Sequence, residues 1–198
     1  MTPKTIIFIG PQGSGKGTQI AKLYEVIAAT DPSRRIVDIQ TGRRFRALAA
    51  KRETFADKKI ADTLDSGELQ PDFITHLLWG QAMLDQLDSK SHLLIDGFPR
   101  NAHQARVLDN AFNFFERDKV IVINLDTPED VVRERMSSRA RSDDTPESIE
   151  TRLRIYREET LPLLEYYKTR DNTTVHDIDG TMDIDGVHNA ICEALNLA

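Results

Sequence analysis

The sequence predicts an α/β fold built on a central five-stranded parallel sheet. Three observations carry this. Five short apolar runs fall at Thr5–Ile9, Arg35–Ile39, His92–Ile95, Val120–Leu125 and Thr174–Ile178, largely continuous in hydrophobicity, as for strands covered on both faces. Stretches with helical periodicity separate them, and this alternation implies crossover helices joining parallel strands. The first run leads straight into a glycine-rich turn, Gly10-Pro11-Gln12-Gly13-Ser14-Gly15-Lys16-Gly17-Thr18.

The elements follow in order. A helix begins at Lys16. Three helices, over 42–52, 56–66 and 72–88, fill the interval between the second and third strands, punctuated by Gly67 and Pro71. Further helices are expected over 101–116, 128–139, 146–169 and 184–196. Thr127-Pro128-Glu129 and Thr145-Pro146-Glu147 each place a capping threonine before a first-turn proline and an acid. Pro162 should bend the 146–169 helix or end it early. No repeat or linker divides residues 1–198, so one domain is expected.

Composition narrows the function classes. The 198 residues carry a net charge of −6, which offers no basic face for a nucleic acid. Positive patches must be local, around the glycine turn. The single cysteine, Cys192, allows no disulfide within the chain and no thiolate zinc site; in an apolar helical pattern it reads as a buried small hydrophobe. The apolar run after Lys4 is too short for a leader, and nothing approaches a membrane span. A cytoplasmic location without membrane contact is expected.

The glycine turn carries the first chemistry. Glycines let the backbone curl with its N–H groups inward, the following helix adds the positive end of its dipole, and Lys16 adds a full charge. The pattern is GxxxxGK, but Gly17 stands where a hydroxyl residue would hold a metal. The second constellation is Leu94-Ile95-Asp96-Gly97-Phe98-Pro99-Arg100. It puts Asp96 at the carboxyl end of a buried strand, where α/β ligands bind. A carboxylate there can orient the waters of a Mg²⁺ ion, offsetting the hydroxyl that Gly17 lacks.

The turn and the DGFPR segment together resemble the nucleoside monophosphate kinases, the adenylate kinase branch most closely, over almost the whole chain. The resemblance implies a three-layer fold of the P-loop NTPase type. It adds a helical monophosphate-binding insertion over 41–71, a very short lid over 139–146, and phosphoryl transfer from ATP to AMP giving two ADP, with Mg²⁺ and no structural zinc. It further implies a monomer whose partners are ATP, AMP and ADP.

Site residues carry over by the same resemblance. The donor nucleotide falls to Pro11, Gln12, Gly13, Ser14, Gly15, Lys16, Gly17 and Thr18, with Arg135, Arg139, Gly180 and Met182. The acceptor falls to Thr41, Gly42, Arg46, Gly67, Leu69, Gln70, Gly97, Arg100 and Gln104. Gln104 reads the adenine edge, while Arg141 and Arg152 also reach the acceptor side. Lys16, Arg100, Arg139, Arg141 and Arg152 act on the transferring group, and Asp96 holds Mg²⁺ through waters. So many arginines suit a reaction whose charge spreads over three phosphoryl oxygens. Arg34, Arg35, Arg106, Arg117, Arg133, Arg154, Arg157 and Arg170 read as solvated or paired. The five histidines show no metal-ligand spacing, and Trp79, Met83, Phe112 and Phe115 read as core.

Two departures stand out. Arg43 follows Gly42 where the family commonly has Asp. Only Ala140 separates Arg139 from Arg141, so helix 128–139 and the start of helix 146–169 should close as a hinged unit. Thr41 and Gln104 favour an adenine acceptor, whereas Asn101, after Arg100, is a feature of pyrimidine-type relatives, so a UMP or CMP kinase stays open. A GTP switch would need DxxG and NKxD, and neither is present. A non-catalytic P-loop nucleotide-binding module is the remaining alternative, and the intact Lys16, Asp96, Arg100, Arg141 and Arg152 argue against it.

Overall fold

A computed structural model describes residues 1–139 and 141–197; Ala140, inside the predicted 139–146 lid, and Ala198 lie outside the described residues. The strands are β1 (Thr5–Ile9), β2 (Ile36–Gln40), β3 (His92–Asp96), β4 (Val120–Asp126) and β5 (Thr173–Asp179). They form one parallel sheet in the order β2-β3-β1-β4-β5. The helices are α1 (Lys16–Thr30), α2 (Thr41–Lys51), α3 (Phe55–Ser66), α4 (Asp72–Gln86), α5 (Ala102–Phe114), α6 (Glu129–Ser138), α7 (Pro146–Ile155), α8 (Leu163–Lys168) and α9 (Ile184–Ala194).

Strand alternation makes the three layers. In β1, Ile7 and Ile9 pack with Trp79, Met83, Phe98, Leu108, Phe112 and Tyr167 on one face. Ile6 and Phe8 pack with Ile20, Leu23, Ile27, Val187 and Ile191 on the other. Successive side chains point to opposite faces, so a strand covered twice must be apolar throughout. A separate small core of Val132, Met136, Ile149 and Leu153 joins α6 to α7.

Five expectations are corrected. β5 is an edge strand, and of its residues only Ile178 is buried; β4 covers one edge and no described strand pairs with the other, so His176, Asp177 and Asp179 are tolerated there. The interruption expected at Pro162 in the 146–169 helix is present but begins earlier, after Ile155. The helix widens into one π turn over Tyr156–Thr160 before Pro162, with the Leu161 N–H donating to the Tyr156 carbonyl at 2.8 Å. Pro162 has no N–H to give, and its ring would press on the carbonyl four residues back in a regular helix. Thr127 does not cap α6; its hydroxyl meets the Leu125 carbonyl at 3.4 Å and Pro128 takes the cap position. Thr145 does cap α7, in a reciprocal box with Ser148. Arg117 is neither solvated nor ion-paired. It is 6% exposed and donates to Thr5 Oγ1 and to the carbonyls of Lys4, Asp88 and Ser91, tying β1 to the chain before β3. The fifth correction concerns Pro11, in the site itself.

Candidate nucleotide site

Three turns at the carboxyl edge of the sheet build the site. The first follows β1. Gly13 and Gly15 adopt φ of 92° and 98°, a left-handed backbone that glycine takes without strain. A Cβ on Gly13 would lie 3.0 Å from Met136 Cγ and 3.1 Å from the Val132 carbonyl, so the loop lies directly against α6. Lys16 Nζ folds back to donate to the Gly10 and Pro11 carbonyls, each at 2.7 Å, and to Ser14 Oγ at 3.4 Å. Pro11 is buried and does not face the cleft; its carbonyl is a partner of the lysine instead. Burial lowers the Lys16 ammonium to about 8; Asp96 opposes this, and Arg100 and Arg139 add to it.

The second turn joins β2 and β3 to the inserted helices. Gly97 has φ of 88°, and a Cβ there would meet Thr41 Oγ1 at 2.5 Å, so the end of β3 and the start of α2 touch. Arg46 lies one helical turn beyond Gly42, against it. Arg100 is anchored three times. Its N–H donates to Gln104 Oε1 at 2.8 Å, its Nε to the Gly97 carbonyl at 3.1 Å, and its own carbonyl accepts from Thr160 Oγ1 at 2.9 Å. Burial lowers the pKa of both Arg46 and Arg100, and neighbouring arginines push the same way.

Gln104 Nε2 donates to Asp72 Oδ1 at 2.7 Å, so its amide is pinned at both ends. An amide has a second hydrogen and further lone pairs, which leaves capacity for a base edge. Asn101 caps α5 by accepting from the Gln104 N–H at 2.8 Å. Gln70 Nε2 donates to the Ile60 carbonyl at 3.0 Å, and its Oε1 is buried with no partner. Gly67, with φ of 78°, ends α3 beside α7; a Cβ there would lie 2.4 Å from the Ser148 carbonyl.

The third turn links α6 to α7. Arg139 donates to Asp144 through Nε at 2.5 Å and Nη2 at 3.0 Å. Arg152 donates to Asp144 at 2.5 Å, to Asp143 at 2.9 Å, and to the Leu64 carbonyl of α3 at 2.9 Å. Burial raises the Asp144 carboxyl, but its bonds and charge contacts with Arg139 and Arg152 win, and the net shift is downward. Arg135 holds the Gly180 carbonyl at 2.9 Å, while Arg141 and Met182 are exposed at the rim. Outside, Arg133 bridges Glu129 and Glu150, and Arg157 reaches Glu129, joining α6 to the α7 segment.

One cleft of about 940 Å³ spans all three turns, at the upper end for ligand pockets. Apart from Pro11, every site residue named from the sequence lines it. Lys16, Arg43, Arg46, Arg100, Arg135, Arg139, Arg141 and Arg152 face it against Glu68, Asp96, Asp143, Asp183 and Asp185. It is thus a positive cleft in a protein of net charge −6. Asp96 Oδ1 is buried there without a partner, which fits a carboxylate waiting for metal-bound water. Among the described residues no three metal-ligating side chains converge, so a cation here would depend on phosphate oxygens as well. Among the lining residues that sequence reasoning missed are Phe45, Thr75, Ile155, Asp183, Ile184, Asp185 and Val187. Helical spacing was the available signal: Phe45 lies four residues after Thr41, and Ile155 three after Arg152.

Comparison with known proteins places the chain in a family. The family model described as adenylate kinase matches residues 8–172. An adenylate kinase of Corynebacterium urealyticum is 36% identical over 191 residues, covering 96% of this chain and 98% of that protein. Adenylate kinase 1 of Nostoc sp. is 42% identical over 165 residues, 83% and 85% of the two chains. An adenylate kinase of Leuconostoc mesenteroides is 34% identical over 196 residues, 98% and 97%. With the glycine loop, Asp96 and the arginine-lined cleft in place, these matches make the chain a member of the adenylate kinase family.

Proposed function

We infer that the protein catalyses the reversible transfer of the terminal phosphoryl group of ATP to AMP, giving two ADP. The observation that carries this is the single cleft running from the Lys16 loop to the Thr41–Arg100 pocket, with guanidinium groups between them. Such a cleft suits two nucleotides whose phosphates meet in the middle.

In this reading the loop from Gln12 to Thr18 cradles the donor phosphates, and Lys16 leaves the Gly10 and Pro11 carbonyls for phosphate oxygens. Arg135 holds the Gly180 carbonyl and so shapes the donor-base rim with Met182. Arg46 and Arg100 bind the acceptor phosphate, and Thr41, Gly67, Leu69, Gln70 and Gln104 surround its base. Arg139, Arg141 and Arg152 neutralise the transferring group. Mg²⁺, when bound with ATP, supplies charge neutralisation between the phosphates, with Asp96 orienting its waters. Positioning and electrostatics do the work, since the transfer asks for no covalent protein intermediate. Residues 41–71 serve as the acceptor insertion and 139–146 as a minimal lid that excludes water. A monomer acting in the cytoplasm, on nucleotides and not on nucleic acid, completes the proposal; no described helix is long and apolar enough to cross a membrane.

Asn101 caps α5 with its side-chain oxygen and reaches Asp72 with its amide nitrogen at 3.3 Å, so within this reading both of its polar atoms have protein partners. The test is Mg²⁺-ATP with AMP, UMP, CMP, GMP or dAMP, monitoring ADP. AMP is expected to be preferred by at least ~10-fold, since unmet polar groups around a base discriminate strongly. Equal or faster turnover with UMP overturns the acceptor assignment.

A further inference from the structure

We propose that Thr160 is a positioning residue for Arg100, brought onto the Arg100 carbonyl by the π turn that follows α7. The proposal rests on the reading of Arg100 as a ligand of the acceptor phosphate.

Inward positions on α7 recur from Arg152 to Ile155, and an uninterrupted helix would bring Glu159 inward next. Instead Glu159 is exposed and Thr160 is buried, 5% exposed. The one-residue widening over Tyr156–Thr160 makes that exchange; such π turns recur at functional sites. Its result is the 2.9 Å bond from Thr160 Oγ1 to the carbonyl of Arg100.

That bond completes the clamp on Arg100. Gln104 holds the N–H before the Cα, and Thr160 holds the carbonyl after it. Gly97 takes Nε. Among the described residues nothing bonds the two terminal nitrogens, which are the pair a phosphate would engage bidentately. The same helical segment carries Arg152, which faces the same cleft. Thr160 therefore keeps the two guanidinium groups in a fixed relation, although one belongs to α7 and the other to the loop after β3. An arginine held at the backbone loses less freedom on binding its anion.

The experiment compares Thr160→Val, which keeps volume and branching but deletes the donor, with Thr160→Ser, which keeps the donor. AMP is varied at saturating Mg²⁺-ATP, then ATP at saturating AMP, beside thermal unfolding. Thr160→Val is expected to raise KM for AMP by roughly 5–20-fold, the scale of one lost hydrogen bond, with KM for ATP within about twofold. Thr160→Ser should stay within about twofold of the parent in both. On an Arg100→Lys background the valine change should add less than about twofold, because its effect passes through Arg100.

A purely structural threonine would lower the melting temperature and move both KM values together, or act in full on the lysine background; either result overturns the proposal. If Thr160→Val does not fold, Thr160→Ala carries the same expectation. If Arg100→Lys leaves KM for AMP unchanged, the assignment of Arg100 fails and takes the proposal with it. If Arg100→Lys raises that KM and Thr160→Val does not, only the positioning role is lost.

Discussion

The arginines of the cleft fall into two groups that the protein treats differently. Arg139, at the end of α6, and Arg152, on α7, are held by Asp143 and Asp144. Arg100 and Arg46, beside the inserted helices, have no carboxylate partner among the described residues, and burial together with like charge lowers the pKa of both. A cation with its own carboxylate must share or leave that partner to meet phosphate. A cation without one bears the cost of burial and nearby like charge, which an anion beside it would relieve. On the proposed reading, the acceptor side is thus preset and the turn side must rearrange. Removal of a group on either side separates the two cases.

The largest effect is expected on the preset side and at the loop facing it. Lys16→Ala or Arg100→Ala should lower turnover by ~10² or more, the usual result of deleting one well-placed charge donor. Neither substitution should destabilise the fold, since Lys16 is held by two carbonyls and the Ser14 hydroxyl, the Arg100 guanidinium by the Gly97 carbonyl, and neither has a carboxylate bonded to it among the described residues. Turnover measured beside thermal unfolding checks both parts, and changes of only a few-fold for both variants would dissolve the site assignment.

The turn side should answer in stability first. The Asp144 side chain is 1% exposed and joins two guanidinium groups. Asp144→Asn should cost about 2–3 kcal/mol, short of the full value for breaking a buried pair because Arg139 is one-quarter exposed. The pH dependence has a definite sign. The carboxyl lies below its ordinary 3.8 in the folded protein, so its stabilisation is complete above that value and lost as pH falls through the lowered one. Denaturant unfolding between pH 6 and pH 3 should show a steeper loss for the parent than for Asp144→Asn. Parallel curves would show that the carboxylate does not hold the turn.

The two sides also differ in how far they could be read from the chain. Short motifs with mechanical reasons behind them, the glycine turn and the DGFPR segment, located the loop after β1, Asp96 and Arg100 at one cleft, and strand–helix alternation located the sheet. Periodicity failed where backbone geometry departs from the regular helix: nothing local in YREET announces a π turn, and it appears only through the carbonyl that Thr160 must reach. It failed also where partners are distant in sequence. Arg117 reads as a surface charge, yet it donates to Thr5, 112 positions away. Pro11 belongs to the loop by position, but the backbone curl that aims the N–H groups inward turns its ring into the protein.

The smallest expected effect lies where the two sides meet on the surface. Arg154 of α7 reaches Glu68, just after α3, at 3.4 Å, and also Glu158 at 2.9 Å. Beneath it the Leu64 carbonyl already accepts from Arg152, and Gly67 already abuts Ser148. The Arg154 and Glu68 side chains are each about half exposed, so solvent screens their attraction and ordering them costs entropy; exposed pairs contribute ~0–1 kcal/mol. Arg154→Ala should therefore change kcat/KM for AMP by less than about twofold and the melting temperature by about 1–2 °C. Raising the salt to about 0.5 M should shrink even that difference, because the screening length falls to roughly 4 Å. A tenfold loss of activity that high salt reproduces in the parent would reverse the ranking. The contact between the inserted helices and α7 would then be governed by its exposed charges rather than by the buried backbone contacts beneath them.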